Sequence, residues 1–293
     1  MKIVIAGGTG FLGKNLSQYF KALGHDVIVI SRSSSRFNWT TNALQMALKN
    51  ADVLVNLAGR SVNCRHNEKN KQDILQSRIA STNSLAAVLK LMDQPPKLWI
   101  NASAIAIYPH AFDKFYDENS NTPTTNFLSH VVQQWEDSFF NFKHPAVRQI
   151  ALRTGVVLGA NDGAFKPLTL LTKFGLGGRV ASGKQLVSWI HILDYCRMME
   201  FLIQNNNING VVNCVSPQPL TNNDFMSAFR NAMGVSIGLP APAFAVKLGT
   251  YLLGAEASLV LDSIGVLPIK IQNSGFVFNF PQIHLALKQL IKK

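Results

Sequence analysis

The feature that most constrains this chain is Gly7-Gly8-Thr9-Gly10-Phe11-Leu12-Gly13, which follows the apolar run Lys2–Ala6 and leads into a helical pattern carrying Leu16. A strand that runs straight into a G-x-x-G-x-x-G turn and then a helix is the opening of a βαβ unit. Its glycines permit a tight turn, close approach of a pyrophosphate to the backbone, and close packing of helix on strand. Phosphates then sit at the helix N-terminus, where unpaired N–H groups and the helix dipole favour negative charge. Glycine spacing alone is weak evidence; its place directly after a strand makes it specific.

The rest of the chain fits that opening. Apolar runs at Val27–Ser31, Val53–Leu57, Leu98–Ser103, Ile150–Val157 and Val211–Val215 read as strands. Between them lie helical faces such as Leu16, Tyr19, Phe20 and Leu23, or Leu85, Val88, Leu89 and Met92. Such alternation predicts an α/β fold, a Rossmann doubly wound parallel sheet with helices on both sides. Glycines at 159, 163, 175, 177, 178 and 183 loosen the pattern, and predict an excursion over about 160–195 that leaves the sheet and walls a pocket. The expected division is a nucleotide-binding domain over 1–215 and a smaller substrate-side module over 216–293.

With 293 residues, 47% hydrophobic and 15% charged, the chain is globular in composition. Its greasiest stretch, Phe244–Ile271, is broken by Lys247, Glu256, Asp262 and Lys270, which argues against a spanning helix. No signal peptide is expected ahead of the first strand, and the expected location is cytoplasmic. Cys64, Cys196 and Cys214 are scattered and odd in number, so neither a disulfide framework nor a metal site follows. A net charge of +12 raises nucleic acid, a membrane surface or phosphorylated ligands as partners. The basic residues are spread along the chain, and the densest runs, Lys69–Lys71 and Lys288–Lys293, are short. That distribution favours a phosphate-rich small ligand over nucleic acid, and no membrane partner is expected.

The end of the second strand discriminates between dinucleotides. NAD sites place Asp or Glu there for the ribose hydroxyls. Here Val27–Ile30 runs into Ser31-Arg32-Ser33, and Asp26 lies at the opposite end. The planar fork of Arg32, assisted by the hydroxyl of Ser31 or Ser33, suits a 2′-phosphate. The expected cofactor is NADP(H). The alternative is that Arg32 is a solvated loop cation, with Arg36 or no residue in that role.

With these residues the chain resembles the extended short-chain dehydrogenase/reductases, the superfamily of nucleotide-sugar epimerases and dehydratases. Asn56-Leu57-Ala58-Gly59, Leu152–Gly159, Gly175-Leu176-Gly177-Gly178 and Trp189–Asp194 resemble an atypical epimerase-like or oxidoreductase-like branch. Val266-Leu267-Pro268, Gly275-Phe276 and Phe280-Pro281 resemble that branch's C-terminal domain of unknown function. The resemblance implies further cofactor contacts from Ala58 and Gly59, from Arg78, and from Val156 or Val157 at the nicotinamide end. Sheet packing and a surface helix charge are the competing readings.

Typical superfamily members use a Ser, a Tyr and a Lys one helical turn beyond the Tyr. Ser103 suits the serine role. The Tyr and Lys positions fall on Leu128 and Val132, within the apolar stripe Leu128, Val131, Val132, Trp135 and Phe139. The position of the usual Asn holds Arg78. Tyr108, on the segment leaving the Ser103 strand, is the first candidate proton donor, with packing as its competing role. His130 is offset from the vacated face, and His191 reads as a structural histidine with a lesser claim to catalysis. Two functions follow. One is an NADP(H)-binding oxidoreductase or epimerase-like enzyme acting on a small substrate, possible nucleotide sugars included; the other is a non-catalytic NADPH sensor or scaffold that has lost the Tyr-Lys pair.

Overall fold

The computed structural model describes residues 1–123, 126–160 and 162–291, with the backbone alone at Asp162. The last two lysines of the C-terminal basic run, 292–293, lie outside the described residues. Six strands form the central sheet: β1 (Lys2–Ala6), β2 (Asp26–Ile30), β3 (Val53–Asn56), β4 (Leu98–Ala104), β5 (Arg148–Thr154) and β6 (Gly210–Cys214). Their order is β6-β5-β4-β3-β1-β2, and every pairing is parallel. The chain winds outward from β1 to β2, then returns to β3 on the other side of β1. That reversal opens a crevice at the carboxyl ends of β1 and β3, where doubly wound sheets bind ligands.

Helices α1 (Phe11–Ala22), α2 (Thr41–Leu48), α3 (Glu68–Lys90), α4 (Phe127–Phe140) and α6 (Ile192–Gln204) cover both faces, while α5 (Phe165–Lys173) lies in the excursion beside the sheet. The alternation of side chains along a strand divides them. Ile3 and Ile5 point to the face covered by Leu16 and Phe20 of α1 and Met198, Met199 and Leu202 of α6. Val4 and Ala6 point to the opposite face, under Leu44 and Leu48 of α2, Leu85 and Leu89 of α3 and Phe139 of α4. Burial on both faces explains the continuous apolar runs.

The apolar run Ile150–Val157 is not one strand. β5 ends at Thr154, and Val156–Gly159 pairs instead with Trp189–His191 in a separate sheet. Gly155 makes the handover: a Cβ there would stand 2.6 Å from the Ser188 carbonyl oxygen. Gly155 N–H donates back to Cys214 O, while Val156 N–H already donates to Ser188 O.

After β6 come α7 (Asn222–Met233), α8 (Ala243–Leu252), α9 (Ser258–Leu261), α10 (Ile269–Asn273) and α11 (Ile283–Ile291). Phe225 and Phe229 of α7 and Leu287 and Leu290 of α11 share a core with Leu158, Phe165 and Trp189. The excursion and the C-terminal helices therefore pack as neighbours beside the sheet's carboxyl edge.

Candidate functional site: a phosphate-binding turn, an open arginine and a buried polar chain

The glycine loop crosses the carboxyl end of β1. Gly7 has φ +78°, and a Cβ there would lie 2.8 Å from Ala58 N. A Cβ on Gly8 would meet Val29 at 2.7 Å, and one on Gly13 would meet Gly8 Cα at 2.4 Å. These three glycines have internal reasons. Gly10 does not: its φ of −77° is ordinary, and a Cβ would find nothing nearer than Gly7 O at 3.8 Å. Gly10 is the N-cap of α1, with no side-chain cap and no acid in the first turn. The helix thus presents uncapped N–H groups toward open space, which fits a pyrophosphate. Phe11 turns inward; its ring passes so close to Gly159 that a Cβ there would be 2.6 Å away. Leu12 packs on the core beneath α1.

Beside this turn a cleft of about 440 Å³ is lined by Thr9, Arg32 and Ser33. Arg32 is exposed and, among the described residues, forms no ion pair or intramolecular hydrogen bond. Ser31 is buried, with its Oγ 3.3 Å from Ser33 Oγ. Arg36 lies over the Phe37 ring. Asp26 stands at the start of β2, opposite Lys2 in register, so no carboxylate occupies the strand end where ribose hydroxyls would be read.

The turn after β3 is held from below. Asn56 Oδ1 accepts from Ala58 N–H at 3.1 Å, and Asn56 Nδ2 donates to Asn101 Oδ1 at 2.7 Å. Arg78 of α3 lies across Gly59, where a Cβ would be 3.3 Å from its Cγ and Cζ. Its Nη1 donates to Arg60 O and Ile74 O, and its guanidinium rests 5.1 Å from the Trp135 ring centroid. No carboxylate pairs with it among the described residues. Burial lowers its pKa to about 10, the mark of a desolvated cation that an anion would relieve. Val156 and Val157 are half-buried beside the excursion, packed against separate cores.

Ser103 and Tyr108 belong to one buried polar chain. Ser103 Oγ donates to Glu136 Oε1 at 2.5 Å. Glu136 also receives a fork from Arg153, Nε to Oε1 at 2.8 Å and Nη2 to Oε2 at 2.7 Å. Arg153 Nη1 donates to the Tyr108 hydroxyl at 3.0 Å, which faces Asn213 Oδ1 at 2.8 Å and Asp117 O at 3.0 Å. Burial alone would lower the Arg153 pKa, but the hydrogen bonds and charge of Glu136 hold it above its ordinary value. Burial raises the Tyr108 pKa, against the opposing pull of Arg153. Tyr108 has no exposed surface and stacks on Tyr116. Its hydroxyl is engaged on three sides.

The expected Tyr and Lys positions hold apolar residues on α4: Leu128 is half-buried, and Val132 is buried in one cluster with Tyr108. Glu136 lies one turn beyond Val132 on that same face, since residues four apart are stacked on a helix. Glu136, Asn213 and Asn101 are not among the site residues the sequence points to, and Asn56 and Arg153 enter there only within family-like motifs. Their only signal is polar or charged residues inside otherwise apolar elements, notably Arg153 following Ile150-Ala151-Leu152 near the end of β5. His191 caps α6, its Nδ1 accepting from Leu193 N–H at 3.0 Å, and contacts Gln289 through Nε2. His130 is exposed and pairs with Gln134. No group of three or more metal-ligating side chains occurs among the described residues. No helix there is long and apolar enough to cross a membrane.

Comparison with known proteins adds to this geometry. The human epimerase family protein SDR39U1 is 33% identical over 99% of this chain and its own full length. The epimerase family protein YfhF of Bacillus subtilis is 34% identical over 99% of this chain and 98% of its own. The crystal structure of human SDR39U1 with NADPH superposes with a TM-score of 0.93 at 32% identity, covering 100% of both chains. Residues 241–290 match a domain of unknown function, DUF1731. Residues 3–214 match the NAD dependent epimerase/dehydratase family, and with relatives at this identity along the whole chain, the protein belongs to that family.

Proposed function

We propose that this protein binds NADP(H) and uses it as an oxidoreductase or epimerase-like enzyme on a small substrate held between Ser103 and the C-terminal module of residues 216–293. The observation that carries the cofactor is the cleft formed by Thr9, Arg32 and Ser33, where, among the described residues, the guanidinium has no partner and no carboxylate stands at the end of β2. The crystallisation of human SDR39U1 with NADPH supports the same choice. The 2′-phosphate falls to Arg32 with Ser31 or Ser33, the pyrophosphate to the Gly7–Gly13 turn, and neighbouring cofactor atoms to Ala58, Gly59 and Arg78. Val156 and Val157 flank the nicotinamide end. The three unpaired thiols fit a reducing compartment such as the cytoplasm.

When bound, the cofactor supplies a hydride donor or acceptor. The protein's part is orientation. Glu136 is acceptor-only when ionised and accepts the hydrogen bond of the Ser103 hydroxyl, so Ser103 presents lone pairs toward a substrate hydroxyl. Arg153 fixes Glu136, and Tyr108 fixes Arg153. A second reading, an NADPH sensor or scaffold, is favoured by the packing of Leu128 and Val132 where a proton-transferring pair would stand.

The test is titration with NADPH and NADH, then a panel of carbonyl compounds and alcohols followed by nicotinamide absorbance, with Ser103→Ala alongside. Turnover that falls on Ser103→Ala with unchanged NADPH affinity supports the enzyme. Tight NADPH binding with no turnover across the panel supports the sensor.

A further inference from the structure

Two segments, 163–193 and 225–255, contain no Asp or Glu. They are joined directly. Leu239 N–H donates to Gly175 O at 2.8 Å, Ala241 N–H to Arg179 O at 2.9 Å, and Arg230 Nη1 to Gly177 O at 2.7 Å. Gly178 lies so close to Leu239 O that a Cβ there would be 2.3 Å away. The two segments are therefore tied together at this junction.

They display apolar side chains. Phe174, Leu176, Leu239, Phe244, Leu252 and Leu253 are all at least half exposed, Leu253 at 84%. α8 has no buried residue at all, although its composition is that of a core helix. It is held to the protein from one side, where Arg65 donates to Tyr251 O at 2.7 Å and lies over the Tyr251 ring. A soluble monomer rarely exposes so large an apolar surface without a partner.

The same segments display cations. Lys166, Lys173, Arg179, Lys184 and Lys247 are exposed, and none forms an ion pair among the described residues. A second copy meeting this face would oppose like charges across an apolar contact, which argues against self-association. Exposed apolar residues and unpaired cations on the same two segments suit a surface that is apolar beneath and anionic above.

We propose that the face built by α5, the 175–181/238–241 junction and α8 docks reversibly on an anionic lipid bilayer. Lys166, Lys173, Arg179 and Lys247 meet the headgroups, and Phe174, Phe244 and Leu252 enter the acyl boundary. The docking is peripheral and independent of the cofactor assignment.

The experiment is flotation of the full chain with phosphatidylcholine vesicles, with and without about one-third phosphatidylserine, at low and high salt. Binding is expected to be at least about tenfold stronger on the anionic vesicles and to weaken with salt. The double variant Phe244→Glu/Leu252→Glu is expected to lose at least about tenfold, with NADPH affinity and thermal midpoint unchanged. No flotation with anionic vesicles, or equal flotation with neutral ones, overturns the proposal. So does a dimer in sedimentation that the double variant dissolves, which assigns the face to a second copy. Binding to polyglutamate without binding to vesicles assigns it to an acidic polypeptide and equally overturns it.

Discussion

Ser103 on β4 donates a hydrogen bond from its hydroxyl to Glu136 on α4 at 2.5 Å, and Arg153 on β5 clamps the same carboxylate with two further hydrogen bonds. A sheet residue facing the candidate substrate side is thereby oriented by an ion pair whose partners expose only 6% of their surface each. Removing one member of a buried pair leaves the other desolvated and uncompensated.

Glu136→Gln is accordingly expected to destabilise the fold by about 3–5 kcal/mol, read as a lower urea midpoint. A loss under about 1 kcal/mol, the scale of surface pairs, would show that water reaches the pair.

The glycine loop separates folding from binding. Gly13→Ala gains about 1 kcal/mol of helix propensity, but its methyl would be forced against Gly8 Cα at 2.4 Å. Overpacking of that kind costs about 3 kcal/mol, so the net effect in thermal denaturation is destabilising. Gly10→Ala finds open space and should change stability by less than about 1 kcal/mol. It should still weaken NADPH about tenfold or more, because the methyl stands where a phosphate approaches the backbone. A Gly10→Ala protein with unchanged NADPH affinity would put the pyrophosphate elsewhere.

Much of this loop was legible because its residues are contiguous and their spacing has one physical use. The same holds for Ser31-Arg32-Ser33 at the end of β2. The polar chain was not legible: Ser103 and Glu136 are 33 positions apart, and Tyr108 and Arg153 are 45 apart. No local pattern announces such pairs. The sequence places Tyr108 near Ser103 but cannot show that Asn213 and Arg153 close over it. The Ile150–Val157 run reads as one strand because apolar residues continue through Gly155. Only the Ser188 carbonyl, brought in by the excursion, shows why the chain changes sheets there.

Thiol chemistry offers a pH test. Burial pushes Cys196 to about 12, and burial, with Cys196 and Asp194 nearby, pushes Cys214 well above its ordinary value. An acid whose folded pKa exceeds its unfolded value contributes stability below the unfolded pKa and loses it as pH rises through the folded one. For Cys196 that window runs from the ordinary 9.0 to about 12. Stability should therefore fall as pH climbs through this range, and Cys196→Ala should flatten the fall. At neutral pH a thiol reagent should label Cys64 in the native protein and reach Cys196 and Cys214 only on unfolding. Rapid labelling of all three native thiols would contradict the burial.

Arg78 predicts a loss of a different kind. Its Nε and Nη2 have no intramolecular partner among the described residues, while Nη1 holds the turn after β3. Arg78→Lys keeps the charge and loses the fork, so NADPH affinity should fall about tenfold. An unchanged dissociation constant in calorimetry would make Arg78 a structural residue only.

The central claim is tested most directly by titrating NADPH and NADH into the native protein and into Arg32→Ala. A charged hydrogen bond contributes about 1.5–3 kcal/mol, so the native protein should prefer NADPH by roughly 10- to 150-fold. Arg32→Ala should erase that preference and leave NADH affinity unchanged. Equal affinity of the native protein for both dinucleotides would contradict the account.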